Sequence, residues 1–195
     1  MASLTRGLQL LALAVRYALA SASLVTAPLL SRATPCAEWD LEVLLDHVSD
    51  SAGVLAQAIA GGCAGVPPPG DEARRLDPVR SLHRQTARLL ATCAAAGPAP
   101  RLVVIGDREL TTNMVALAGA LEITVHGWDI SVACGAGRPV PPGLAAILLP
   151  LAPLLITPAT RPGLFADPVP VPAQACLGDQ LVAFLGRQPR AASVG

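Results

Sequence analysis

The chain contains no lysine; all fourteen basic residues are arginines, and fourteen acidic residues balance them to a net charge of zero. Without a basic excess there is no electrostatic footprint for nucleic acid. Aromatic residues are nearly as scarce, at 3%, and charged residues reach only 14%, against 52% hydrophobic. A core with so few rings must be built from Ala, Leu and Val, a composition that favours closely packed helices. There is no C-x-x-C pair either. Cys36, Cys63, Cys93, Cys134 and Cys176 stand singly. That pattern argues against thiolate zinc ligation and for reduced thiols in a cytoplasmic protein, each thiol a small buried hydrophobe. Long apolar runs are also missing. Arg6, Leu8–Val15 and Ala18–Ala22 together imitate a secretory leader, but Arg16 interrupts the run. The segment therefore reads as a first helix, and no membrane partner is expected.

What is present fits one domain, residues 1–195, long enough to bury a core of its own. Leucine spacing, punctuated by Pro and Gly, predicts a first helix from about Leu4 to about Leu30, kinked near Pro28. A second, capped by Asp40 with Glu42 in its first turn, ends at Gly61 or Gly62. Gly65–Asp71, with three consecutive prolines, is loop. A third helix fits Pro78–Ala96, with Leu82, Leu89 and Leu90 inward and the arginines outward. Leu102–Ile105 is either one arm of a small hairpin or an extended lead-in. Thr111 or Thr112 caps a fourth helix that reaches about Cys134 before Gly135 and Gly137. Pro141-Pro142 opens a fifth, to about Ile156, interrupted at Pro150 and Pro153; Pro158–Pro172 is irregular and Gln174–Gly186 forms the last. The expectation is an all-α bundle over about 1–137 with a helical extension over about 138–195.

Glu122 and His126 lie four positions apart in a segment, Met114–Ile130, whose only other charged side chain is Asp129. That spacing puts both on one helix face, one turn apart. A carboxylate among Val, Ala, Leu, Gly and Ile carries a large desolvation cost unless it meets a cation. The chain has two further histidines. His47 falls inside the apolar stripe of Leu41, Leu44, Leu45, Val48 and Leu55, whereas His83 sits among Arg80, Arg84 and Arg88 on a wet face. His47, Glu122 and His126 thus make a candidate metal triad, the ligand set of an open zinc site and also of non-haem iron. Ala118 and Gly119, one turn before, would leave open volume beside it. Two core histidines hydrogen-bonded to Glu122 with no ion account for the same spacing, and the residues alone leave both accounts open. Trp39 and Trp128 are expected to pack in the core.

Thr34-Pro35-Cys36-Ala37-Glu38-Trp39-Asp40, continuing into Leu44-Leu45-Asp46-His47-Val48, resembles the opening motif of the DinB-like metal-binding family that includes mycothiol-dependent maleylpyruvate isomerase. Glu122-Ile123-Thr124-Val125-His126-Gly127-Trp128-Asp129 resembles that family's ExxxHGWD motif. The stretch Leu181–Pro189 is similar to the C-terminal LxAFxGRxP of its short members. The resemblance implies a DinB-like four-helix bundle with a C-terminal helical extension. It also implies a divalent metal, zinc before iron or nickel, held by His47, Glu122 and His126.

Family members use the ion in thiol chemistry, so the resemblance implies mycothiol as co-substrate in transfer or isomerisation on a small molecule. A bound cation lowers a thiol's pKa and supplies the nucleophile at neutral pH. The full isomerase has a larger C-terminal domain that contributes a catalytic arginine, whereas about sixty residues follow the metal motif here. Arg161 and Arg187 are then the arginines to test for an anionic substrate, against the alternative of solvated or helix-end contacts. Asp129 either orients a ligand imidazole or satisfies donors nearby. Cys36 is a weaker candidate, as a nucleophile, because it stands in the linker before the second helix with no base adjacent in sequence. Two rival readings remain: a metal-assisted hydrolase or cyclase in small-molecule biosynthesis, and a non-catalytic metal-binding bundle in the form of a homodimer.

Overall fold

Four long helices carry the apolar stripes read from the sequence. The computed structural model describes residues 2–36, 39–61, 63–64, 77–97, 101–105 and 108–189. In chain order these form α1 (Ala2–Ala22), a 3-10 turn (Ala27–Leu29), α2 (Leu41–Gly61), β1 (Cys63–Ala64), α3 (Pro78–Ala95), β2 (Leu102–Ile105), β3 (Arg108–Thr111), α4 (Thr112–Ala133), α5 (Pro142–Leu155) and α6 (Leu177–Phe184). The predicted loop at Gly65–Asp71 lies outside the described residues.

The bundle forms around α4, which is apolar on every face instead of along one stripe and is accordingly buried on most of its surface. It packs most extensively on α1 and also on α2, while α2 packs on α3. Contact with α1 is close because position 127 has no side chain. A Cβ at Gly127 would lie 3.0 Å from both Ala18 Cα and Tyr17 Cδ1. Arg16 points to solvent from α1, and Leu11, Ala14, Val15 and Ala18 on the opposite side are wholly buried. The charge that breaks the apolar run thus marks the wet face of an amphipathic helix.

Caps stand where the sequence puts them. Asp40 Oδ1 accepts from the Val43 amide at 2.9 Å, Asp77 Oδ1 from Arg80 at 2.8 Å and Thr111 Oγ1 from Met114 at 3.2 Å. Gly135, at φ 80°, ends α4 with paired bonds from Gly135 to Val132 and from Ala136 to Ser131.

Several expectations are corrected. The first helix stops at Ala22, and Pro28 lies in the separate 3-10 turn, where a proline near the helical start sacrifices no hydrogen bond. Of the two readings of residues 102–105 the hairpin arm is the one found, β2 antiparallel to β3 with Leu102 opposite Thr111, and β1 adds to it in parallel, Cys63 opposite Val104. This small sheet sits at one edge of an otherwise all-α fold. Helix α5 runs through Pro150 and Pro153 without a break, because both prolines are exposed and water can satisfy the carbonyls they leave free. The last helix is shorter than predicted, opening at Leu177 behind Cys176, whose Sγ accepts from the Asp179 amide at 3.4 Å. Cys176 is therefore exposed, and Cys36, Cys93 and Cys134 are half-buried, so none of these four is the fully buried small hydrophobe expected. Helices α5 and α6 pack on each other, and α5 also meets α4 and α1.

Candidate metal centre

α2 and α4 face each other where their polar residues interrupt the apolar contact. His47 on α2 reaches across to Glu122 on α4, Nε2 to Oε1 at 3.1 Å. His126, one turn further along α4, closes the group, its ring centroid 5.0 Å from that of His47 and nearly perpendicular to it. One donor atom from each of the three lies within 4.8 Å of the others, close enough for a single cation to bridge them. The sequence-predicted triad is thus brought together.

Exposure across the group is uneven, and this decides where a further ligand can approach. The His47 and Glu122 side chains are 36% and 32% exposed, whereas His126 is 7% and Asp129 0%. One side of the group faces water and the other is dry. On the dry side, His126 Nδ1 lies 3.1 Å from Asp129 Oδ2. An ionised carboxylate only accepts, so Nδ1 carries the hydrogen, and in the neutral imidazole Nε2 then has the free lone pair that a ligating histidine requires. Asp129 thus contacts the His126 imidazole and satisfies an arginine as well. Arg187 grips it with a fork: Nε to Oδ1 at 3.2 Å and Nη2 to Oδ2 at 2.9 Å.

Arg187 is therefore neither solvated nor free to meet a substrate anion, being only 4% exposed. Arg161 is buried too, but its partners lie elsewhere, with Nη1 on the Ala166 carbonyl at 2.7 Å and its guanidinium 4.8 Å over the Phe184 ring. It braces the C-terminal extension. The open volume expected beside Gly119 is filled, since a Cβ there would lie 2.6 Å from the Leu55 side chain, and Ala118 faces solvent. His83 is exposed, as its arginine neighbours implied.

Two residues of the site, Ser51 and Trp39, were not read as such from the sequence. Ser51, one turn beyond His47, donates its hydroxyl to Glu122 Oε1; its i+4 spacing from His47 was the available signal. Trp39 packs half-buried against the core and also lines the site. Its ring is 4.6 Å from the His47 ring and 6.2 Å from the His126 ring, so the indole walls both imidazoles. Trp128 is the buried one, at 5% exposure. Cys36 lies beside Arg187, yet burial pushes its thiol above the usual cysteine range and outweighs the lowering by Arg187. A thiol held protonated is a poor nucleophile.

The Glu122 carboxyl is pulled two ways. Burial raises its pKa, but hydrogen bonds from His47 and Ser51 and the charges of His126 and His47 together outweigh that and leave it below the ordinary 4.5. A depressed folded-state pKa gives a stability contribution that is present above the unfolded value and disappears as pH falls through the folded one. The metal-free protein should therefore lose stability on acidification below about 4.5. Urea midpoints from pH 6 to 3 should fall more steeply for the wild type than for Glu122→Gln, which cannot ionise; parallel curves would refute it.

The family described as mycothiol maleylpyruvate isomerase N-terminal domain matches residues 11–131, which hold all three donors and Asp129. Two uncharacterized proteins of Mycobacterium tuberculosis, from strains CDC 1551 and H37Rv, are each 32% identical to the chain, over 85% of it and 89% of their own length. No solved structure matches it.

Proposed function

The chain belongs to the mycothiol maleylpyruvate isomerase N-terminal domain family, and from that premise we propose that it is a metal-dependent enzyme that uses a low-molecular-weight thiol of the mycothiol type. The reaction is transfer of that thiol to a small electrophile, or its reversible addition to isomerise a double bond. The observation that carries the reading is the half-wet triad: His47, Glu122 and His126 within 4.8 Å of one another, with the buried His126 locked by Asp129. A purely structural zinc site is closed by four protein ligands; three with one side open to water are what catalysis needs.

When bound, the ion, zinc by preference, lowers the pKa of a thiol and makes it nucleophilic at neutral pH. The chain's own residues do the rest. Asp129 keeps the His126 hydrogen on Nδ1, and Ser51 holds one Glu122 oxygen so that the carboxylate keeps its direction. Trp39 gives the site an apolar wall that keeps water from one side of a bound co-substrate. Cys36 is not the nucleophile. The four free cysteines among the described residues suit a reducing compartment, and no helix among those residues is long and apolar enough to cross a membrane.

The test is metal content followed by thiol dependence. The protein should take up zinc stoichiometrically, and calorimetry of the zinc-loaded protein with mycothiol should show saturable binding that disappears in His47→Ala. Turnover of model electrophiles should require the thiol. No zinc uptake, or turnover indifferent to thiol, would overturn the reading.

A further inference from the structure

We infer that Arg187 is a positioning residue for the metal site, acting through Asp129 to fix the His126 imidazole, so that affinity for the ion depends on a residue of the C-terminal extension. This rests on the metal reading above.

The Asp129 carboxylate has no exposed surface, and a lone hydrogen bond to His126 would leave it free to turn about its last torsion. The fork removes that freedom. Two parallel N–H groups of one planar guanidinium hold both oxygens, which sets the carboxylate plane and leaves a lone pair of Oδ2 directed at His126 Nδ1. Arg187 is itself held from several sides. Nη1 donates to the Leu185 carbonyl at 3.0 Å, the Phe165 ring lies 5.9 Å away and Cys36 touches it on another side.

Local sequence explains how the guanidinium is aimed. After α6 the chain turns through Gly186 at φ 79°, with bonds from Gly186 to Ala183 and from Arg187 to Val182, the double closure that ends a helix through a left-handed glycine. A Cβ at 186 would also lie 2.6 Å from the Ala166 carbonyl oxygen. Only glycine suits that corner, and the next residue is delivered back to α4, 58 positions from its partner. Arg161 offers the contrast: equally part of the extension and also buried, with its hydrogen bond and ring contact made to Ala166 and Phe184 instead of α4.

The experiment measures zinc affinity by competition with a chromophoric chelator for the wild type, Arg187→Gln, Arg187→Lys, Asp129→Asn, the Arg187→Gln/Asp129→Asn double variant and Arg161→Gln. Arg187→Gln should weaken zinc binding about ten- to hundredfold, the usual cost of losing a residue that orients a ligand. Asp129→Asn should do likewise, and the double variant should lose no more than the worse single one, because one pathway can be broken only once. Arg187→Lys should recover part of the affinity. Arg161→Gln, which loosens the same extension, should stay within about twofold of wild type.

In the metal-free proteins, nitrogen-15 shifts of the His126 ring should report a single Nδ1–H tautomer in the wild type and a mixture in Arg187→Gln. Should Arg187→Gln not fold, Arg187→Lys and Asp129→Asn carry the comparison. Wild-type affinity in Arg187→Gln, losses that multiply in the double variant, or an equal loss in Arg161→Gln would each overturn the inference while leaving the metal reading standing. A wild type that takes up no zinc would overturn both.

Discussion

Replacing His126 with alanine should abolish the stabilisation that zinc gives this protein while leaving the metal-free fold standing. An ion that binds only the folded state adds RT ln(1 + [L]/Kd), about 2.7 kcal/mol at a free concentration one hundred times Kd. The wild type should show that gain as a higher urea midpoint, reversed by a chelator. In His126→Ala one of three donors is missing, and the remaining pair, His47 and Glu122, is the wetter, less constrained half of the group. Its gain at the same zinc concentration should be close to nothing. Without metal the variant loses one hydrogen bond, to a carboxylate that keeps its arginine, a cost of about 1–2 kcal/mol. A variant that stays folded and still gains as much from zinc as the wild type would remove His126 from the ligand set.

The largest stability effect is expected at Asp129. Asp129→Ala leaves the Arg187 guanidinium 4% exposed, with the Leu185 carbonyl, the Phe165 ring and the Cys36 thiol beside it in place of a carboxylate. Removing one member of a buried ion pair costs about 3–5 kcal/mol, most of it the penalty on the stranded charge. That is a large share of the whole folding free energy of about 5–15 kcal/mol. Removing both charges is a different matter. Asp129→Leu/Arg187→Met takes away the pair together, so it should cost far less than Asp129→Ala despite altering more atoms. Urea denaturation of the three metal-free proteins gives the order directly. A double variant as unstable as the single one would mean that the pair contributes net attraction and not merely mutual neutralisation.

How much of this could be read from the chain differs by residue. Glu122 and His126 stood out because α4 has almost no other polar side chain, and His47 because it falls in the stripe that packs α2 onto its neighbours. Local spacing carries that information. Arg187 was legible as a residue and not as a contact. Its partner lies 58 positions away, and no periodicity spans a turn, a proline-broken loop and two helices. Gly186 before it was the one local clue, since a glycine just past a helix end marks a reversal of direction. Trp39 does pack against the core, but its second contact was hidden for a related reason: only the fold brings the indole against His47. Ala118 and Gly119 suggested empty space, but whether a missing side chain leaves a void depends on what faces it, and Leu55 does. The overrun of the first helix past Ala22 came from reading apolar composition without a stop signal.

The fork between Asp129 and Arg187 also sets an order of events during synthesis. Domains take shape as the chain emerges, N-terminal part first. Once Asp129 has been joined all three residues of the triad have been made, yet 58 more must follow before the guanidinium that grips Asp129 exists. On the proposed metal reading, a chain cut short of Arg187 should therefore compete less well for the ion than one that reaches it.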